Sequence, residues 1–186
     1  MVTHSRAADE TAIAAMLQPW LDAIGGDLAG YGNHVRRVRE LCNVLSAKQG
    51  LEVDQDTQLA WTVAGAFHDL GIWSAGTWDY IDPSVKLACD WLDSNDRADL
   101  APLVTRMIRE HHGIRARGPA DDPVEIFRRA DLTDVWLGLR RYGIGISRYR
   151  DLLRAHPDAG FHLNLTKLFL RNLRHHPLRP APMFRW

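Results

Sequence analysis

Apolar residues in this chain recur at three- and four-residue spacing from end to end, and nowhere do they alternate at period two over a strand's length. That periodicity commits the backbone to helices that each bury one stripe, and it predicts an all-α protein. Residues 10–24 carry Ile13, Met16, Leu17, Trp20, Leu21 and Ile24 on one face and stop at Gly25-Gly26. Residues 33–49 carry His34, Val38, Leu41, Cys42 and Leu45 and stop at Gly50. A third helix opens at Asp56 or Thr57, both good caps, and presents Leu59, Ala60, Val63, Ala64 and Phe67. Pro83, in a first-turn position after Asp82, starts a helix reaching about Leu92. Residues 99–112 form another before Gly113, and Asp122-Pro123 begins a segment running through Asp131 to about Leu139. Ser147 caps a short helix to His156, and Gly160 precedes a last one over residues 161–174. The tail PLRPAPMFRW is too rich in proline to continue it, and its Phe184 and Trp186 are expected to dock on the domain or on a neighbouring subunit.

The expected architecture is therefore a single-domain bundle of about eight helices, with a core over 31–135 and C-terminal helices and tail over 140–186. Its longest irregular stretches, 71–81 and 113–121, are where binding loops are expected. At 46% hydrophobic residues the chain is too apolar for disorder, yet no apolar run approaches the roughly 18–20 residues of a membrane span. The start, MVTHSRAADE, has no apolar signal core, so a cytoplasmic protein without a membrane partner is expected. Two cysteines, each within a helical pattern, exclude a disulfide scaffold and a four-cysteine zinc site. With 23 basic and 23 acidic residues the net charge is zero, and no nucleic-acid partner is indicated. Histidine is the unusual component: there are nine, several beside Asp or another His.

Three of the predicted helices aim ligand-type groups inward. His34 shares the face of Val38, Leu41 and Leu45, and His68-Asp69 follows Phe67 at the end of an apolar helix. Asp131 lies among Val124, Phe127, Ala130 and Val135. Each alone has an ordinary explanation as a hydrogen-bonded core residue or an ion pair. Together they place two imidazoles and two carboxylates on buried faces, where each unpaired group costs on the order of 1–3 kcal/mol. A divalent cation compensates all of them at once. Mixed nitrogen and oxygen ligands suit Mn, Fe, Co, Ni, Zn or Mg.

The order His34 … His68-Asp69 … Asp131, with HDLG around the dipeptide, resembles the HD superfamily of metal-dependent phosphohydrolases, whose signature is H…HD…D on an all-α core. The resemblance spans about residues 31–135 and implies an HD-type bundle hydrolysing a small phosphorylated molecule or nucleotide with metal-activated water. It implies His34, His68, Asp69 and Asp131 as metal ligands, with Asp69 also orienting or deprotonating the attacking water. It further implies that a histidine at His111-His112 faces the substrate or binds a second metal, as general acid or phosphate donor. The pair ends a helix before Gly113, where the dipole favours imidazolium. Its members lie about 100° apart, so one of them faces the site, and His111 shares the face of Val104 and Met107.

A phosphorylated substrate needs cations, and Arg37 and Lys86 are the candidates taken here, with a surface charge as the plain alternative for each. Trp73 and Trp78, with Tyr80, form an aromatic loop that walls a pocket or packs on the core. Asp134, one turn past Asp131, is placed to support a ligand from behind. Where several HD subfamilies carry an acid or lysine after the dipeptide, this chain has Leu70, Gly71, Ile72 and Trp73. That departure weighs against the (p)ppGpp hydrolases, the bacterial deoxynucleotide 5′-nucleotidases and the cyclic-dinucleotide phosphodiesterases. It keeps open a lyase, hydratase or oxygenase on the same scaffold, or a non-catalytic metal-binding module. Nothing in the sequence fixes the oligomeric state.

Overall fold

In a computed structural model, residues 6–175 are described; the first five residues and the tail from residue 176, with Phe184 and Trp186, lie outside them. The fold is all-α, with no strand among the described residues. Eight helices have ten or more residues: α1 (Arg6–Leu17), α3 (Leu28–Lys48), α4 (Gln55–Phe67), α6 (Ile81–Ser94), α7 (Ala101–Glu110), α8 (Pro123–Val135), α9 (Ile146–Ala155) and α10 (Phe161–His175). Two single turns, α2 (Leu21–Ile24) and α5 (Gly71–Ser74), complete the set. No described helix is long and apolar enough to cross a membrane.

Local chemistry explains most boundaries. Asp54, rather than Asp56 or Thr57, caps α4, accepting a 2.7 Å hydrogen bond from the Thr57 amide. Asp122 caps α8 in the same way through the Val124 amide, and Pro123 supplies the first-turn proline. Several expected boundaries move: Gly145, not Ser147, precedes α9, and α6 opens at Ile81, two residues before Pro83. The helix expected over 10–24 breaks after Leu17 into the 3-10 turn Gln18–Trp20, because Pro19 has no N–H to continue the ladder. The helix through Asp131 ends at Val135 rather than near Leu139, because Leu137 and Gly138 turn to positive φ (53° and 72°). The helix carrying His34 starts at Leu28, five residues before the expected 33, despite Gly30 and Gly32. Gly30 is there for contact: a Cβ on it would lie 3.1 Å from the Phe161 amide nitrogen.

The long α3 forms the axis, with α1, α4 and α8 packed on it; α7 closes the bundle between α4, α6 and α8. One continuous core runs through these contacts, including Val35, Val38, Trp61, Phe67, Ile108 and Phe127, all essentially inaccessible. The inner face of α3, the C-terminal ends of α4 and α7 and the middle of α8 therefore meet inside the protein.

Gly71 sets how the aromatic loop returns to this point. Its amide donates to Ser84 Oγ at 2.9 Å, and an added Cβ would stand 2.5 Å from the Tyr80 carbonyl oxygen. Gly71→Ala is expected to lower stability by about 1–3 kcal/mol, since backbone must shift to admit the methyl group. Urea unfolding checks this, and an unchanged midpoint would show that the loop has room to spare.

Candidate metal centre

Two of the central histidines sit immediately after a helix end, where the last carbonyls lack an intrahelical partner. His68 follows α4, and its Nδ1 donates to the Gly65 carbonyl three residues back at 2.8 Å. His111 follows α7, and its Nδ1 donates to the Ile108 carbonyl at 2.6 Å. The third, His34 on α3, donates Nδ1–H to Asp134 Oδ2 at 2.8 Å. Asp134 is itself held ionised by Arg37, whose Nε and Nη2 donate to Oδ1 and Oδ2 at 2.7 and 2.8 Å. All three rings thus spend Nδ1–H outward and turn Nε2 to a common centre, the arrangement that orients metal-ligating imidazoles.

What faces that centre is a set of lone pairs. His34 Nε2 and His68 Nε2 are 3.1 Å apart. Asp131 Oδ1 lies 3.4 and 3.5 Å from them. Asp69 Oδ2 is 3.3 Å from His68 Nε2, and Asp69 Oδ1 is 3.5 Å from His111 Nε2. Asp69 Oδ1, Asp131 Oδ1 and His111 Nε2 are buried and make no hydrogen bond. Neutral imidazoles and ionised carboxylates arranged so repel one another. Each orphaned atom costs on the order of 1–3 kcal/mol. A cation removes the cost, and the spacing suits one: bonds of about 2.1 Å put neighbouring donor atoms about 3.0–3.4 Å apart. His34, His68 and Asp131 can together hold a metal ion, as can His68, Asp69 and His111. His68 belongs to both groups, so the five side chains form one cluster.

The protonation balance points the same way. Burial lowers the His68 pKa, but the Asp69 charge and contact with Asp131 outweigh it and raise the ring to about 9. His34 is raised too, as its contacts with Asp131 and Asp134 outweigh burial. Burial would raise Asp69, yet the His68 charge and His111 hold it well below the ordinary carboxylate range; His34 and His68 do the same for Asp131. Without metal the cluster attracts protons in its place. A His raised from 6.5 to about 9 gives the metal-free fold stability that is full below pH 6.5 and lost as pH rises through 9. Metal must displace that proton, so its apparent affinity is expected to rise by about tenfold per pH unit per proton released, levelling near pH 9. Chelator competition across pH checks the slope; a flat profile would mean that no proton leaves His68 on metal binding.

The structure brings His34, His68, Asp69, Asp131 and His111 together and distributes the other expected residues elsewhere. Arg37 is not in front of the site. It is fully buried behind His34, with four of its five N–H donors spent on Asp134 and on the His156 and Pro157 carbonyls at 2.8 and 3.2 Å, and its burial keeps it from a substrate. Lys86 is exposed on α6 and pairs with Asp90 at 2.6 Å, one turn along the same helix. Trp73 packs on Tyr31, ring centroids 4.7 Å apart, and donates to Asp27 Oδ2 at 3.0 Å. Trp78 lies beside Tyr80, with its indole N–H buried and without a partner. His112 lies tilted against His111, ring centroids 3.8 Å apart, and meets the Tyr80 hydroxyl at 2.5 Å. Burial, then the neighbouring His111, push its pKa down to about 3, which overrides the helix dipole expected to favour imidazolium. Asp134 does stand behind His34, as its position one turn past Asp131 indicates.

Two contributors were not expected from the sequence. Phe161, first residue of α10, stacks on His34 with centroids 4.1 Å apart and planes 13° from parallel. Tyr31 donates to the Ala66 carbonyl at 2.9 Å, tying α3 to the end of α4. The only sequence signal for Phe161 was an apolar residue opening a helix after Gly160. Comparison with protein-family models, curated proteins and solved structures finds no match.

Proposed function

We propose that the protein is an HD-type metal-dependent phosphohydrolase acting on a small phosphate ester or nucleotide. The observation that carries this reading is the inward convergence of His34 Nε2, His68 Nε2, Asp131 Oδ1 and Asp69, with every imidazole donor turned away. A divalent cation bound there supplies a nucleophile from water at neutral pH and polarises a phosphoryl oxygen. Asp69, ionised and with one oxygen unengaged, accepts a proton from the attacking water. His111 Nε2 stands 3.5 Å from that carboxylate, close enough for one cation to engage both. His112, neutral, meets the Tyr80 hydroxyl through Nε2 beside the cluster; with its ring proton on Nε2 it donates to the phenol oxygen and leaves the Tyr80 O–H free to donate to a leaving group. The indole N–H of Trp78 is the remaining unspent donor in the aromatic loop.

A second reading has its own support. The arginine expected to clamp a phosphate is committed to Asp134, and Lys86 lies at the surface. A hydratase, lyase or oxygenase on the same metal core requires no such clamp. The separating experiment is an assay of metal-loaded protein on a phosphate-ester and nucleotide panel, with nitrile hydration and oxygen uptake in parallel. Phosphate release abolished by chelator supports the hydrolase; turnover only in the parallel assays supports the second reading.

A further inference from the structure

The C-terminal third of the chain has a charge and a surface that the metal centre does not use. Of the 23 basic and 23 acidic residues, 10 basic and only two acidic ones, Asp151 and Asp158, fall after Val135. The neutral protein is thus strongly polarised, with an excess of eight positive charges in residues 136–186.

The same region exposes its apolar side chains. Around α10 three sectors follow one another at 100° per residue. Phe161, Leu165 and Leu168 pack on the core. Phe169, Leu173, Leu170 and Leu163 form an exposed arc, Leu163 at 59% and Leu170 at 52%. Arg174, Lys167 and Arg171 line the next sector, and α10 contains no acid. The turn after α8 repeats the pattern: Trp136, Leu137 and Leu139 are exposed, Leu139 at 83%, beside Arg140 and Arg141. His162 Nε2 donates to the Asp134 carbonyl at 2.9 Å, so the start of α10 lies against the root of that turn.

We infer that this face, the outer arc of α10 with the Trp136–Leu139 turn, is a docking surface for an anionic lipid membrane. Leucine and aromatic side chains beside a basic sector are what a helix lying in the headgroup layer presents. A second copy docked through the same face about a two-fold axis would set like charges against each other, and a nucleic acid would leave the leucines uncovered. No helix needs to cross the bilayer, in keeping with the absence of any spanning helix among the described residues.

The test is co-sedimentation of the full chain with phosphatidylcholine vesicles, with and without about 30% phosphatidylglycerol. Binding is expected to rise by about tenfold or more with the anionic lipid. It is expected to be lost in the exposed-site variant Leu170→Glu/Leu173→Glu and reduced in Lys167→Glu/Arg171→Glu, with helix content unchanged in both. No binding to anionic vesicles overturns the proposal, as does binding that ignores the leucine substitutions. A dimer in solution that the leucine pair converts to monomer, without vesicle binding, assigns the face to a second copy and likewise overturns it.

Discussion

Asp131→Ala is expected to empty the metal centre while leaving the helices folded. Asp131 supplies the oxygen that stands within 3.5 Å of both His34 Nε2 and His68 Nε2, and that oxygen makes no hydrogen bond of its own. Its removal takes away a ligand, together with the carboxylate that His34 and His68 face in the metal-free fold. Changing a group that merely supports a ligand already lowers metal affinity by about 10–100-fold, so loss of the ligand itself should cost at least about a hundredfold. Purified variant is expected to hold little transition metal where the parent is expected to hold roughly one equivalent, with the proposed hydrolysis falling in step. His68→Ala should behave alike, because His68 Nε2 belongs to both ligand groups. Circular dichroism and elemental content measured on the same samples decide the point; metal retained at parental levels in both variants would place the ion elsewhere.

The second large effect belongs to a residue outside the candidate ligand set. Asp134 accepts four bonds, one from His34 Nδ1, two from Arg37 and a long one of 3.5 Å from the Tyr149 hydroxyl, all among buried side chains. Asp134→Ala leaves a buried guanidinium without its counter-charge and an imidazole without its orienting acceptor. Breaking a buried pair by removing one partner costs about 3–5 kcal/mol. Freeing the His34 ring should weaken metal binding by about 10–100-fold besides. Arg37→Met separates the two effects: it should destabilise the fold while Asp134 continues to orient His34, so affinity falls less than in Asp134→Ala. Urea unfolding with a parallel chelator titration reads both quantities. Equal affinity losses in the two variants would show that Arg37, not Asp134, fixes the ring.

Much of this was legible in the sequence because helical periodicity is a local property. Residues His34, His68-Asp69 and Asp131 could be assigned to buried faces from the apolar residues three and four positions away. The preference for His111 over His112 rested on the face of Val104 and Met107, and His111 is the one whose Nε2 stands by Asp69. Contacts between distant segments were not legible. Arg37 reads as a free cation in sequence, and only the fold brings it to Asp134, 97 residues away. The same holds for the early start of α3, where Gly30 and Gly32 predict a late one until Phe161 is seen against Gly30. The break at Pro19, by contrast, was written in the chain, and the continuous apolar stripe from Ile13 to Ile24 concealed it.

X-ray absorption at the edge of the bound transition metal tests the central claim most directly. The account predicts a first shell of nitrogen and oxygen with the multiple-scattering signature of at least two imidazoles, reduced in His34→Ala and His68→Ala. A shell of solvent oxygen without imidazole, or no bound metal at any pH up to 9, would contradict it.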